Sequence, residues 1–338
     1  GQPARPIAHA HTDTLAAILF TSGSTGAPKG VCYTHGMFDA QIELVRTTYA
    51  IRPGETDMAM LPLFALFNPA LGTTTVTPLL DPSKPLAADP APLVAALIAE
   101  KVTCSFGSPA IWSKVADHCE AHGSKLPDLR RLLIAGAPVS GELLAKLRVV
   151  APNCVTHTPY GATECLPVTT ITADELLGEA RQLALRGQGT CVGRPVSGVE
   201  IRVIRETDGP IVTLAEAQAC APGEIGEIIV RGPVVTQTYD ALPAAAASVT
   251  AAARPSHGLA LRGAAAACSQ PLEHGGAPEV AFHDLLAREV VHARLEAPHR
   301  RADAKRAARL GRGVLEQPPN GLLGEVEIGH AEAREPDH

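Results

Sequence analysis

The sequence has few aromatic residues, no paired-cysteine motif, no excess of positive charge and no long apolar run. Aromatic residues make up 3% of its 338 residues and the net charge is −6. We therefore expect no nucleic-acid partner, because stacking platforms and a basic surface are both missing. The 8 cysteines form no Cys-x-x-Cys pair, which favours reduced cytoplasmic thiols over a disulfide framework or a zinc site. The apolar stretches are too short to cross a membrane and no signal-peptide pattern opens the chain, so we predict no transmembrane segment.

The most informative feature that is present is the segment Thr21–Gly30, which contains three glycines, four hydroxyl side chains and Lys29. Glycine lets backbone N–H groups approach an anion, while the hydroxyls and the lysine add donors and a charge suited to polyphosphate. A flexible Gly/Ser loop is the alternative, although the segment directly follows the strand-like run Leu15–Phe20. A Walker-type loop is excluded, because that motif needs Gly-Lys-Ser/Thr in succession and two residues separate Gly26 from Lys29.

Apolar runs alternate with helical patterns from Leu15 to Cys165. The predicted strands are Leu15–Phe20, Met58–Phe64, Val102–Phe106, Leu132–Ala135 and Val155–Thr158. The predicted helices are 35–49 after an N-cap at Thr34, 92–101 after Asp89 and Pro90, one beginning near Pro109, and one capped by Ser140. This alternation predicts an α/β fold with a mostly parallel sheet flanked by helices, and ligand loops at the carboxyl ends of its strands.

The pattern changes twice further along the chain. Short strands at Val199–Ile204, Ile211–Leu214 and Ile225–Val230 predict a small antiparallel β subdomain. Beyond residue 242 alanine and arginine dominate and no strand pattern persists. We predict an α/β core over 1–190, the β subdomain over 191–241, and a low-complexity tail over 242–338 that is disordered or out of frame after a frameshift. A divergent helical region, with a basic helix over 285–310, is the alternative.

Two further motifs follow predicted strands, namely Gly136-Ala137-Pro138 and Tyr160-Gly161-Ala162-Thr163-Glu164. Together with the Thr21–Gly30 loop, and in this order, they resemble the adenylate-forming (AMP-binding) superfamily, which includes acyl-CoA synthetases, luciferases and peptide-synthetase adenylation domains. The resemblance covers residues 12–240 and implies the partial N-terminal domain of that fold. Gly193-Arg194-Pro195 and the segment from Pro222 to Tyr239 resemble the motifs that come next, and we interpret these as structural.

The resemblance implies ATP and Mg²⁺ as cofactors. The residues that would bind ATP are Thr21, Ser22, Gly23, Ser24, Thr25, Gly26, Lys29, Gly136, Ala137, Pro138, Tyr160, Gly161, Ala162 and Thr163. In the family the tyrosine ring stacks on adenine and the threonine hydroxyl contacts the α-phosphate. The implied catalytic residues are Lys29, Thr163 and Glu164, with Glu164 as the metal ligand.

The apolar segment Leu61–Phe67 suits an aliphatic acyl chain, with a plain core strand and turn as the alternative. This segment, Thr158–Glu164 and Cys220–Glu227 are similar to the fatty acyl-CoA ligase-like β-lactone synthetases of bacterial olefin biosynthesis. That similarity implies a small-molecule fatty acid or 3-hydroxy fatty acid as substrate, with olefin-pathway enzymes as partners. A long-chain fatty acyl-CoA ligase, which would also need CoA, is the second candidate.

Some features of the family are missing from this sequence. No Gly-Asp pair is present to hold the ribose hydroxyls, and Lys305 does not match the setting of the lysine in the family's C-terminal lid. The chain also starts just before the phosphate loop. We therefore expect the lid domain and the upstream subdomain to be absent, and an inactive fragment of such an enzyme is a further alternative.

Four other side chains near these motifs have competing interpretations. We predict that His35 and His157 are packed or solvated rather than catalytic bases, and that Cys165 is a packing residue rather than a nucleophile. Trp112 either lines the acyl pocket or belongs to the core.

Overall fold

The computed structural model describes residues 9–21, 29–81, 84–185, 190–205, 217–221, 223–240, 259–267 and 280–282. All of them belong to the first of two compact units, residues 1–285. The strands are β1 (Leu15–Phe20), β2 (Gly30–Thr34), β3 (Thr56–Ala59), β4 (Thr74–Val76), β5 (Cys104–Gly107), β6 (Arg131–Ile134), β7 (Val155–His157), β8 (Tyr160–Ala162), β9 (Cys165–Thr170), β10 (Thr190–Pro195), β11 (Glu200–Ile204), β12 (Ile225–Arg231), β13 (Leu259–Ala267) and β14 (Val280–Phe282). The helices are α1 (His35–Thr48), α2 (Asn68–Leu71), α3 (Pro90–Ala99), α4 (Pro109–His122), α5 (Gly141–Val150), α6 (Ala173–Leu177) and α7 (Glu179–Leu185).

The α/β class is confirmed, since a parallel sheet of five strands in the order β4-β3-β5-β6-β7 forms the centre of the fold. β1 and β2 form a separate antiparallel ribbon, and the other seven strands form an antiparallel sheet in the order β11-β12-β13-β14-β10-β9-β8. Within the part of the chain that is described, each helix is too short or too polar to cross a bilayer.

Helix starts follow the sequence closely, because local side chains satisfy the free backbone N–H groups of the first turn. Thr34, Asp89, Ser108 and Ser140 each accept a hydrogen bond from a backbone N–H one turn into the following helix. The predicted helices after Thr34, Asp89 and Ser140, and the helix from Pro109, are therefore confirmed.

The two faces of the parallel sheet carry different apolar clusters. On one face, alternate strand residues such as Met58 and Leu132 pack with α3, α4 and α5 around Trp112, which is 0% exposed. On the other face, Phe106 and Leu133 pack beneath α1 and the short helices that follow β3. Trp112 is therefore a core residue on the face away from the acyl segment.

The acyl segment itself differs from the prediction. The predicted strand Met58–Phe64 ends at Ala59, and Pro62–Phe67 is a 3₁₀ helix. Pro62 has no N–H to donate to a strand ladder and is well tolerated in the first turn of a helix. This change turns Phe64 and Phe67 onto the same face of the sheet as Phe106.

The region after residue 242 also differs from the prediction where it is described. β13 pairs antiparallel with β12, and β14 pairs with β13 and β10, although no strand pattern was expected there. Sheet pairing uses backbone groups, which every residue except proline can supply in full, so it does not require an alternating side-chain pattern. The predicted strand Ile211–Leu214 and the alternative helix over 285–310 lie outside the described residues, and the domain boundaries remain predictions.

Candidate active site

The two ends of the predicted phosphate loop are joined at the mouth of the β1–β2 ribbon. The Thr21 N–H donates to the Lys29 carbonyl, and the Lys29 N–H donates to Thr21 Oγ1, each at 3.0 Å. These bonds hold the loop ends together and place Lys29 immediately before β2. Five predicted ATP-binding residues lie outside the described residues, namely Ser22, Gly23, Ser24, Thr25 and Gly26.

The turn Gly136-Ala137-Pro138 lies exposed at the carboxyl end of β6. Gly136 has φ +91°, a left-handed conformation that favours glycine, and a Cβ placed on it would meet no atom within 4 Å. The backbone of this turn is therefore open to a ligand at the edge of the sheet where parallel α/β folds bind ligands.

The motif Tyr160–Glu164 crosses from β8 to β9 beside this edge and is fixed by three hydrogen bonds from distant residues. The Tyr33 hydroxyl donates to the Thr163 carbonyl at 2.5 Å, and the Thr236 N–H donates to the Glu164 carbonyl at 2.8 Å. The Tyr239 hydroxyl donates to Glu164 Oε1 at 2.8 Å. The backbone and the carboxylate of the motif are therefore both held in place.

Tyr239 links the two ends of the candidate site. The segment 236–240 runs along β2, where the Cys32 N–H donates to the Thr238 carbonyl and the Asp240 N–H donates to the Gly30 carbonyl. Lys29 Nζ lies 5.5 Å from the centre of the Tyr239 ring, within range of a cation–π contact. Lys29, Tyr239 and Glu164 therefore form a row, although they are far apart in the sequence.

Burial shapes the chemistry of these tyrosines. Tyr33 is 3% exposed and Tyr239 is 5% exposed. Burial raises the pKa of Tyr33 to about 12. Burial also raises the pKa of Tyr239, and the adjacent Glu164 carboxylate raises it further. Both hydroxyls therefore stay protonated at neutral pH and act as hydrogen-bond donors.

An apolar pocket lies between α1, the 3₁₀ helix Pro62–Phe67 and the sheet. The Phe64 and Phe106 rings, which line it, are stacked with their centres 3.6 Å apart and an interplanar angle of 21°. Pro159 and Leu166, which flank the Tyr160–Glu164 motif, line the same pocket. The alternative of a plain core strand and turn for Leu61–Phe67 does not fit this arrangement, since Phe64 lies on a helix and lines the pocket.

Residues 2–240 match the family model for AMP-binding enzymes. The match includes all the motifs described above and extends over more than half of the chain. The chain belongs to the AMP-binding enzyme family.

Relatives and solved structures of this family resemble the chain over most of its described part. The olefin beta-lactone synthetase of Xanthomonas campestris pv. campestris is 46% identical over 234 residues, which cover 69% of this chain and 41% of that protein. The olefin beta-lactone synthetase of Stenotrophomonas maltophilia is 44% identical over 237 residues, which cover 70% of this chain and 42% of that protein. The chain thus spans about two fifths of the length of these relatives.

The fold agrees with a solved structure of the family at low identity. O-succinylbenzoate coenzyme A synthetase (MenE) from Bacillus subtilis, in complex with ATP and magnesium ion, superposes with a TM-score of 0.62 and 22% identity. The superposition covers 83% of this chain and 52% of that structure. At this identity the likeness establishes the fold.

The donor set at Glu164 fits the Mg²⁺ that the family resemblance implies. Tyr239 donates to Oε1 of Glu164, and Mg²⁺ prefers hard oxygen ligands such as this carboxylate. Among the described residues, no group of three His, Cys, Asp or Glu side chains surrounds a common point. Phosphate oxygens and water would therefore supply the remaining ligands.

The environments of Cys165, His35 and His157 fit the packed or solvated roles that we predicted for them. Cys165 is 0% exposed, and burial raises its pKa to about 12, so it packs and is not a thiolate nucleophile. His35 is exposed. The His157 ring packs edge-on to Tyr49 with centres 5.1 Å apart, and burial lowers its pKa to about 4. The seven cysteines that the structure describes are free thiols.

The sequence missed one residue of the site. We interpreted the segment up to Tyr239 as structural, yet the Tyr239 hydroxyl contacts the candidate metal ligand. Nothing in its spacing indicates this contact, since 75 positions separate the two residues.

Proposed function

We propose that this protein uses ATP to activate a fatty acid or 3-hydroxy fatty acid as an acyl adenylate, and that a 3-hydroxy acyl adenylate then closes to a β-lactone. The observation that carries this proposal is the row of Lys29, Tyr239 and Glu164 beside an apolar pocket. A cation and a carboxylate suit phosphate and Mg²⁺, and apolar walls suit an alkyl chain.

In the activation step a carboxylate oxygen of the acid bonds to the α-phosphorus of ATP, and the bond from that phosphorus to the bridging oxygen breaks. Pyrophosphate leaves with the electron pair, and the acid becomes a mixed anhydride. Lys29 would hold the outer phosphates and the Thr163 hydroxyl would contact the α-phosphate. Mg²⁺, when bound, offsets negative charge on the phosphates.

In the second step the 3-hydroxyl oxygen of the same substrate attacks the acyl carbon. The bond from the acyl carbon to the phosphate oxygen breaks, AMP leaves, and the hydroxyl proton passes to solvent. No thiol is needed, so CoA is not required. The identity to two olefin beta-lactone synthetases supports this second step over transfer to CoA.

The first test is ATP–pyrophosphate exchange by the purified 338-residue chain with a 3-hydroxy fatty acid. We expect exchange that depends on both the acid and Mg²⁺. Glu164→Gln keeps the shape of the side chain and its bond to Tyr239 but weakens the metal ligand, so exchange should fall about 10²–10³-fold. Absence of exchange in the wild-type chain would favour the inactive-fragment alternative.

The second test identifies the product with and without CoA. We expect a product with the mass of the acid minus one water, formed equally in both samples. A thioester that forms only with CoA would replace the β-lactone proposal by the fatty acyl-CoA ligase. Olefin-pathway enzymes as partners and a cytoplasmic location remain predictions.

A further inference from the structure

The apolar pocket ends in a cluster of polar side chains. Asp57, Asn68 and Cys104 line its far end and are 7%, 4% and 4% exposed. Asn68 Nδ2 donates to Asp57 Oδ2 at 2.8 Å and to Thr75 Oγ1 at 2.9 Å. Burial raises the pKa of Asp57 to about 6, and hydrogen bonds from Asn68 and Cys104 lower it in part. A network of this kind resists displacement, because moving one member leaves the others buried without partners.

The strand register places this cluster at the opposite end of the pocket from the Tyr160–Glu164 motif. Asp57 pairs with Cys104, and Cys104 pairs with Arg131 at the start of β6. Leu133, which lines the middle of the pocket, is two residues further along β6, or about 7 Å at the rise of a strand. Ala135, at the carboxyl edge, is four residues from Arg131, or about 13 Å.

The pocket wall at Phe64 is held less firmly than the pocket end at Asp57. The free volume is about 40 Å³ with Phe64 stacked on Phe106, so a long alkyl chain requires the Phe64 ring to turn aside. Phe64 is half-buried on a short 3₁₀ helix, so turning its ring would break stacking contacts and no side-chain hydrogen bond. Asp57 lies on a central strand and is bonded to Asn68, so the end of the pocket is fixed.

An ion pair lies on the sheet next to the Asp57 end of the pocket. Arg131 Nη1 lies 2.6 Å from Glu55 Oε2, and the two side chains are 14% and 18% exposed. Arg131 also donates to the Ala50 carbonyl, which ties the chain after α1 to the sheet. An alkyl chain that enters from the Tyr160 side therefore meets a rigid end of the pocket, formed by Asp57, Asn68 and Cys104, which we call the floor.

From this geometry we propose that Asp57, supported by Asn68, is a specificity-determining residue that sets the longest acyl chain the pocket accepts. The inference rests on the proposed function, because it takes the apolar pocket as the acyl site. Each methylene that enters the pocket contributes about fourfold in affinity through burial of apolar surface. That gain ends where the chain meets the floor.

The test is direct binding of straight-chain acids to the 338-residue chain without ATP. Titration calorimetry with acids from hexanoic to octadecanoic acid, each below its micelle concentration, gives affinity against length. We expect affinity to rise about fourfold per methylene and then stop rising at one length. Asp57→Ala should move this break to acids longer by about one methylene, whereas Asp57→Asn, which keeps the polar floor, should leave it in place.

Two further variants distinguish a change in the length of the pocket from an effect on folding. Cys104→Ala opens the floor from the neighbouring strand and should move the break in the same direction. Ser105→Ala is the matched control, since Ser105 is 0% exposed and bonds the Met58 carbonyl at 2.6 Å, among residues of the other sheet face. In Ser105→Ala the affinity should stop rising at the same acid length as in the wild type.

The outcomes separate this inference from the proposed function. A break that stays at the same length in both Asp57→Ala and Cys104→Ala overturns the floor, even if overall affinity falls. Failure of acids of every length to bind overturns the acyl pocket and this inference, whereas acid-dependent pyrophosphate exchange would still support the proposed function. Pyrophosphate exchange tests the proposed function separately.

Discussion

Replacing Tyr239 by phenylalanine removes one hydroxyl from the candidate site and keeps the ring beside Lys29. The lost bond joins the hydroxyl to Glu164 Oε1 at 2.8 Å; Tyr239 is buried and Glu164 is partly exposed. A hydrogen bond to a charged group is worth about 1.5–3 kcal/mol. If that bond orients the carboxylate for Mg²⁺, its loss should weaken metal binding about ten- to a hundredfold.

The assay is the Mg²⁺ concentration that gives half-maximal pyrophosphate exchange at a fixed ATP concentration. Electron paramagnetic resonance of Mn²⁺ with ATP and protein gives metal affinity without turnover. Tyr33→Phe is the matched control, because Tyr33 is equally buried and its hydroxyl donates to the neutral Thr163 carbonyl. We expect both variants to lose stability, and only Tyr239→Phe to show the large shift in metal affinity.

Two results would refute this reasoning. One is an unchanged Mn²⁺ affinity in a folded Tyr239→Phe protein. The other is tighter metal binding, which would mean that the hydroxyl competes with the metal for Glu164 rather than orienting it.

Three other outcomes follow from the same structure. Burial raises the pKa of folded Asp57 from 3.8 to about 6, so the stability that this group contributes is lost as pH rises through that interval. Asp57→Asn cannot ionise, so its free energy of unfolding, compared with that of the wild type, should be about 3 kcal/mol more favourable at pH 7 than at pH 3 in urea unfolding. His157 has a folded pKa lowered from 6.5 to about 4 by burial, so its contribution is lost as pH falls, and His157→Gln should flatten the acid limb of the stability profile. Leu144→Ala should cost about 2–5 kcal/mol because Leu144 is 1% exposed, whereas Val149→Ala, at 62% exposed, should change stability by less than about 0.5 kcal/mol.

The candidate site residues could be selected from the sequence because each ligand-loop motif is a short run of adjacent residues. The Tyr160–Glu164 motif and the Gly136 turn lie where the alternation of strands and helices predicts, at the carboxyl edge of the sheet. The roles assigned to Thr163 and Glu164 stay predictions, since they came from resemblance to a family.

Local signals determined most of the fold. Thr34, Asp89 and Ser140 begin helices because each side chain satisfies a backbone N–H within its own first turn, so a few neighbouring residues contain the information. The strand after Asp57 was predicted too long, because the apolar run continues into a 3₁₀ helix and hydrophobicity alone does not distinguish the two.

Only the tertiary structure decided which distant residues meet. Tyr239 reaches Glu164 because the segment 236–240 pairs with β2, and Asp57 closes the pocket because the parallel register aligns it with Cys104. β13 likewise joins β12 through backbone bonds in a stretch where the side chains show no alternation. The sequence by itself determined the local elements and the motifs, since those depend on neighbours in the chain. Contacts across the sheet also depend on which distant strands become neighbours and how they pack, and a pattern within one segment does not specify its partner.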